Sequence, residues 1–451
     1  MMINGALVRS VAGNLAIVIA FAAVFAQLAG IAMPWPVWAG IFVLHFLVRL
    51  DRIKRSARII LSIAVVLFAG SWLVTGKALG SGFDRAGFLL VFLLVMQYLA
   101  ELAARSPDIG RAAETIVMRP AGQRYLFVTA GSHVLALFLQ IGAVILIMTL
   151  LMSRLKEASA ATVRSLAIAQ TRGFTSTALW SPLSLGILIV FSHVPEVSYL
   201  GFVPFGLAGA AFYLTVGYWM ERGRRAKSHN TAAIPLAEKL NLARVAGLAA
   251  LLVVSGLAWV SIFDVPLIEG MFTVVLILGL AWSAVSIGKG QMSFAQGAKS
   301  LSNAGSTLVN EVAIISGATV IGSVGAGLLE QWGGLQGAVS PMTAGIVALT
   351  IPWAIFAAGL AAMNPVLSVT ILAGALDAVW PDGAKFWLAC ALTWGWAVTA
   401  GGTPFTANVL MTAQKVEQPG SVVALSWNGR FSLLMLVCFS VAAALGTYMW
   451  S

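Results

Sequence analysis

The chain of 451 residues is 60% hydrophobic and only 10% charged, with a mean hydropathy of +0.94, whereas a soluble domain carries about 25% charged residues. Apolar stretches of roughly 20 residues recur from end to end, which excludes a soluble globular protein and predicts an all-α polytopic membrane protein. The net charge of +11 is concentrated in short loops between apolar segments, so it reads as membrane topology and not as nucleic-acid binding.

The N-terminal residues lead straight into a first span without a small-residue cleavage site, so the expectation is an uncleaved helix. Spans are predicted near 11–32 and 35–50, joined by a tight turn at Met33, Pro34, Trp35 and Pro36. The densest basic loop follows, with Arg49, Arg52, Lys54, Arg55 and Arg58. Lys and Arg excess marks the cytoplasmic side, which places the N-terminus there too. Spans near 59–77 and 86–103 return the chain to a second basic loop at Arg105, Arg111, Arg119 and Arg124. Two crossings put this loop back on the cytoplasmic side, so the two assignments agree. Arg is favoured over Lys and Ala and Gly are abundant, a composition that fits a bacterial inner membrane.

A span near 125–153 is followed by an unusually polar region, 160–195, and then by a span near 198–220 that ends in a basic cluster from Glu221 to Lys227. If that cluster is cytoplasmic, 160–195 crosses an even number of times. Each half has only about 12–18 residues, short for a full crossing. A re-entrant helical hairpin with its tip near 173–182 satisfies the count, as do two short crossings. The hydrophilic stretch 221–241 divides the chain, leaving scaffold helices over 1–104, a first repeat over 105–220 and a second half over 242–451. In the second half, spans are predicted near 242–262, 268–288 and 431–450. A small-residue segment occupies 303–330, and broken helices lie near 345–379 and 394–415. The sum is about 10–12 transmembrane helices with two re-entrant hairpins and broken helices.

The most informative stretch runs from Trp394 to Asn408, where Gly401, Gly402, Thr403 and Pro404 interrupt an apolar run. Pro404 removes a backbone donor and crowds the preceding turn. At membrane depth, backbone freed in this way is tolerated only where it is buried in protein or lines a wet cavity. Discontinuous helices of this kind build the substrate and ion sites of secondary transporters. Two other breaks have the same character, at Trp180, Ser181 and Pro182 and at Met363, Asn364 and Pro365. The segments 178–188 and 361–372 look alike, as do Gly131, Ser132 and His133 beside Gly305, Ser306 and Thr307. Matching breaks in two halves indicate an internal, inverted repeat with a midplane site; the alternative is that small-residue helices resemble one another wherever close packing selects them.

These features resemble the ion transporter superfamily, nearest its divalent anion/sodium symporter branch. There each half carries a hairpin with a Ser-Asn-Thr tip, followed by an unwound helix, the second containing a Thr-Pro-Pro-Asn run. Here the run from Gly402 through Thr403, Pro404 and Thr406 to Asn408 is similar to that last motif, with stretched spacing. Thr175, Ser176 and Thr177 with Ser181, and Asn364 in the second half, lie where tips are expected, although neither tip reads Ser-Asn-Thr. The resemblance implies a scaffold domain, a mobile transport domain, elevator-type alternating access, a homodimer and cation coupling.

On the residues themselves, helix starts after Pro182, Pro365 and Pro404 offer unpaired N–H groups to an anion. Ser184, Ser368, Thr370, Thr406 and Asn408 add polar contacts. Carbonyls freed before each proline, with Thr175, Ser176, Thr177 and Asn364, are hard oxygen ligands suited to sodium. For each hydroxyl the alternative is a bond back to its own helix. Ionisable groups in apolar surroundings are functional candidates: Arg172 as an anion partner or interface anchor, Glu311 as a proton carrier or helix-start carboxylate, His133 as a relay or packing residue. Cys390 and Cys438 have no ligand-like spacing. No metal-ligand grouping and no phosphate-cradling loop points to an enzyme or a resident cofactor. The expectation is therefore a secondary transporter for a small, organic anion, coupled to Na+ or H+, with a cation/proton antiporter as the alternative and a membrane enzyme acting on lipids or polyprenyl-linked sugars as the remote one.

Overall fold

The computed structural model describes residues 5–75, 81–155, 158–222, 233–331 and 339–451. The regular structure among them is helical. In the first half the helices are α1 (Gly5–Leu28), α2 (Trp35–Leu47), α3 (Arg55–Thr75), α4 (Ser81–Ala104), α5 (Pro107–Val117), α6 (Ala121–Leu139), α7 (Ile141–Arg154), α8 (Ala160–Thr175), α9 (Leu185–His193) and α10 (Tyr199–Met220). The second half holds α11 (Leu236–Phe263), α12 (Leu267–Gly288), α13 (Phe294–Thr307), α14 (Val309–Gln331), α15 (Pro341–Leu360), α16 (Pro365–Leu376), α17 (Lys385–Gly402), α18 (Ala407–Lys415) and α19 (Gly429–Trp450). Among the described residues, eight helices are long and apolar enough to cross a membrane, or nine if the bent pair α13–α14 is one span. Shorter apolar helices, α2, α7 and α16, stand beside them. The chain is a polytopic helical membrane protein.

The described residues fall into two compact units. The first takes residues within 1–99, 268–337 and 370–379. In it α3 and α14 pack along each other, and small side chains let them approach. Ala57 and Ala313 are fully buried between Ile53 and Val309, and Ala64 packs with Val320 and Val324 further along. α13 opens with a capping box in which Ser293 and Gln296 satisfy each other's backbone donors. It then bends by 55° into α14 at Leu308.

The second unit takes residues within 100–267, 338–369 and 380–451. Here α6 packs on α8, while α15, α17 and α19 pack against one another. Serines start its helices: Ser159, Ser198 and Ser340 each accept a backbone N–H from the first turn of α8, α10 and α15, filling one of the donors a helix start leaves open. Pro341 at the first position of α15 has no donor to lose.

Several elements differ from the sequence-based expectation. The continuous span expected at 125–153 is two helices, because Gln140 adopts φ 50 and turns the chain between α6 and α7. The polar region 160–195 is helix, break and helix, and its arms α8 and α9 each pack on α17. A π-helical turn, Val422–Trp427, precedes α19. The break expected at Met363, Asn364 and Pro365 is present between α15 and α16, with Ala362 at φ 62. Residues 223–232, which include most of the basic cluster and nearly half of the hydrophilic stretch 221–241, lie outside the described residues.

Candidate functional site

Two broken helices of the second unit define the site. α8 ends at Thr175 and tightens into a 3-10 turn, Ser176–Leu179; α9 resumes only after Pro182. α17 ends at Gly402, and α18 resumes after Pro404. Each proline removes the N–H that would have closed the preceding helical turn. At the second break the carbonyl left without its helical donor is that of Ala400, four residues before Pro404. The Thr406 hydroxyl donates to it at 2.9 Å. The Asn428 amide donates to the Gly401 carbonyl at 3.0 Å. At the first break the Tyr199 hydroxyl donates to the Trp180 carbonyl and the Gln140 amide to that of Leu183, the latter at 3.4 Å. Side chains therefore bond to these four carbonyls, and the Thr406 hydroxyl also lies 3.2 Å from the Thr403 carbonyl. The helix starts that follow are treated differently. Ser184 and Thr406 stand at the N-cap positions of α9 and α18, and neither side chain caps its helix. The starts of α9 and α18 thus keep N–H groups that no N-cap side chain fills, the polarity that attracts an anion.

The breaks meet directly. A methyl group on Gly401 would stand 2.8 Å from the Thr175 hydroxyl, and one on Gly402 would stand 2.6 Å from the Ser432 hydroxyl. Only glycine lets α17 come this close to α8 and α19. Asn408 in the first turn of α18 exploits the proximity. Its amide donates to the Thr171 carbonyl at 3.2 Å and to the Thr175 hydroxyl at 3.1 Å. Its own oxygen accepts from Gln170 at 3.5 Å, and the Gln170 oxygen accepts from Thr412 at 2.7 Å. Gln170, Thr175, Asn408 and Thr412 are all buried. Every polar atom of the two amides has a partner, as a low-dielectric interior requires.

Beside this network, His133 of α6 reaches the first break. The Trp180 indole donates to His133 Nε2 at 3.2 Å, and His133 Nδ1 lies 2.7 Å from the Ser176 hydroxyl. An indole N–H can only donate, so Nε2 is the acceptor and the imidazole proton sits on Nδ1. Arg172 is buried in the last turn of α8, with its guanidinium among Glu221, Asn428, Tyr125 and the Gly217 carbonyl.

The other residues singled out by sequence are placed as follows. The hydroxyls of Ser176, Thr177, Ser368, Thr403 and Thr406 each return to a carbonyl within or beside their own helix. Ser181 accepts from the Leu183 N–H, and Asn364 accepts from the Val366 N–H at 2.9 Å as a local cap of α16. Ser184 is half-buried at the start of α9. Thr370 and Glu311 belong to the first unit, with Thr370 packed near Gly322 and Glu311 exposed in the first turn of α14. Thr175 and Asn408, far apart in sequence, are brought together. Gln170, Thr412, Asn428, Tyr125 and Glu221 were not foreseen, because nothing local distinguishes them from ordinary polar helix residues. Among the described residues no three His, Cys, Asp or Glu side chains are grouped to hold a metal ion.

The fold is similar to that in the crystal structure of the Alcanivorax borkumensis YdaH transporter, which has an unusual topology. The match has a TM-score of 0.55 and covers 86% of this chain and 96% of that one, at 16% sequence identity. At that identity the likeness is one of fold. No protein-family model and no curated protein matches the sequence.

Proposed function

We propose that the chain is a secondary active transporter for a small organic anion, with Na+ or H+ as the coupling ion. The observation that carries this reading is the crossing of two broken helices at a buried network centred on Asn408 and Thr175. A helix broken inside apolar surroundings costs hydrogen bonds, and building two that meet makes sense where a solute must be handled. The preference for an anion is read from the starts of α9 and α18, whose N–H groups no N-cap side chain fills. The fold likeness adds support, since its counterpart is itself a transporter. Elevator-type alternating access and a homodimer, which the superfamily resemblance implies, belong to the same proposal.

The test heats the purified protein with sulfate, phosphate, lactate, succinate or glutamate while sodium, potassium and pH are varied independently. A ligand that binds the native state raises its melting temperature with concentration. The expected result is one anion class that stabilises, with sodium or low pH deepening the effect. Stability that follows pH or cation alone, whatever the anion, would remove the anion site and favour cation/proton antiport.

A further inference from the structure

Arg172 is only 1% exposed, and two of its three nitrogens donate to protein while the third faces a carboxylate. Nε donates to Asn428 Oδ1 at 2.9 Å. One terminal nitrogen donates to the Gly217 carbonyl at 2.9 Å and the Tyr125 hydroxyl at 3.3 Å. The other lies 3.8 Å from Glu221 Oε1, itself 1% exposed. The guanidinium plane rests over the Phe431 ring, 4.0 Å from its centroid. Gly217 makes room for it, since a methyl group there would stand 3.0 Å from Arg172 Cδ. The partners come from α6, α10, the residue before α19 and α19 itself. One of them reaches further: the Asn428 amide that accepts from Arg172 with its oxygen donates with its nitrogen to Gly401.

A buried ion pair is weak evidence of stability, because desolvating both charges offsets their attraction; its best-attested use is to fix register. The residue type fits that use. Only a rigid fork with five donors can address Asn428, a carbonyl, a phenol and a carboxylate at once; an ammonium on a flexible stem cannot. The pair is also neutral as a whole. An anion binding the guanidinium would first have to displace Glu221.

We propose that Arg172 is a positioning residue: through Asn428 it locks the break of α8–α9 to the break of α17–α18, and it does not hold the charge of the transported solute. The second half of this statement rests on the transporter reading above; the first half does not.

Hydrogen exchange of the full-length protein in detergent, with no anion added, tests the lock. Arg172→Lys keeps the charge and loses the fork. It is expected to speed exchange about tenfold in peptides covering both 173–186 and 400–410, leaving α12 unchanged. Asn428→Asp keeps the acceptor for Arg172 and loses the donor to Gly401, so 400–410 alone is expected to loosen. If Arg172→Lys fails to fold, Asn428→Asp decides by itself. Wild-type exchange at 400–410 in either folded variant would overturn the proposal. Because no anion is present, this result is independent of whether the chain is a transporter. With any anion that stabilises the wild type, Arg172→Gln, which removes the charge, is expected to weaken mono- and divalent anions by the same factor. A loss that grows with anion charge would instead assign Arg172 to the solute.

Discussion

The chain interrupts its helices in both units, and the two kinds of interruption are held differently. In the first unit α13 bends into α14 by 55° across a single residue. The hydroxyls that follow the bend bond back to their own helix, Ser316 to the Val312 carbonyl at 2.6 Å and Thr319 to that of Ile315 at 2.8 Å. What fixes α14 is apolar packing of alanine and valine against α3, together with Asn310 just past the bend, whose amide accepts from the Lys54 N–H at 2.7 Å and donates to the Arg52 carbonyl at 3.2 Å. In the second unit the breaks of α8–α9 and α17–α18 are joined by side-chain hydrogen bonds between residues 233 to 256 positions apart. At the bend the hydroxyls bond locally and a single amide, that of Asn310, reaches distant backbone. A break that serves a solute imports partners from elsewhere in the chain.

The strongest way to break this comparison is Asn408→Leu. It leaves the Gln170 amide without its acceptor in a buried site and removes the amide that joins the Thr171 carbonyl and the Thr175 hydroxyl to α18. Interhelical hydrogen bonds in membranes average well under 1 kcal/mol, but losing three of them and leaving the buried Gln170 amide unpaired raises the cost, here to about 3 kcal/mol. The expected outcome is a large fall in melting temperature together with loss of anion-dependent stabilisation. A variant as stable and as responsive as the wild type would remove Asn408 from the site.

Gly401→Ala is expected to cost about 2 kcal/mol, because the added methyl would stand 2.8 Å from the Thr175 hydroxyl and packed interiors resist such insertion. The sharpening control is Gly325→Ala in α14, where nothing lies within 4 Å of the added methyl. There alanine's better helix propensity makes the change neutral or stabilising by up to about 1 kcal/mol. Equal effects of the two substitutions on melting temperature would contradict the close approach of α17 to α8. Next comes Thr412→Val, which removes the donor to the Gln170 oxygen at 2.7 Å while keeping the side chain's shape. About 1 kcal/mol is expected, with anion affinity falling because Gln170 supports Asn408.

This gradient also explains what could be read from the sequence. The break at 403–406 was legible because proline and paired glycines act on the backbone within a few residues, whatever the tertiary setting. Thr175, Ser176 and Asn408 stood out as polar residues beside such breaks. The turn at Gln140 and the bend at Leu308 carry no such mark, since neither position is glycine or proline. Gln170, Thr412 and Asn428 look like solvated helix residues until the fold supplies partners from distant segments. Arg172 was visible as a charge, but its role depends on Glu221, which by sequence reads as the edge of a basic loop. Local chemistry reveals where a helix breaks; only the fold reveals what the break touches.

The smallest effect is expected at Ser316. Its hydroxyl donates within α14, to Val312 and, at 3.5 Å, to Ala313. In an α-helix the Val312 carbonyl already receives the backbone N–H of residue 316, so Ser316→Ala strands no group. Alanine also recovers helix propensity, since a serine bonded back to its own helix competes slightly with the ladder. These terms nearly cancel, and the change in stability is expected to stay within about 0.5 kcal/mol. Melting curves of Ser316→Ala and Thr412→Val under one set of conditions measure the distinction directly, because both remove one buried hydroxyl and differ in whether its partner is local. If Ser316→Ala costs as much as Thr412→Val, the hydroxyls of α14 hold the first unit as firmly as the network at the breaks holds the second. The first unit would then have to be searched for a site of its own.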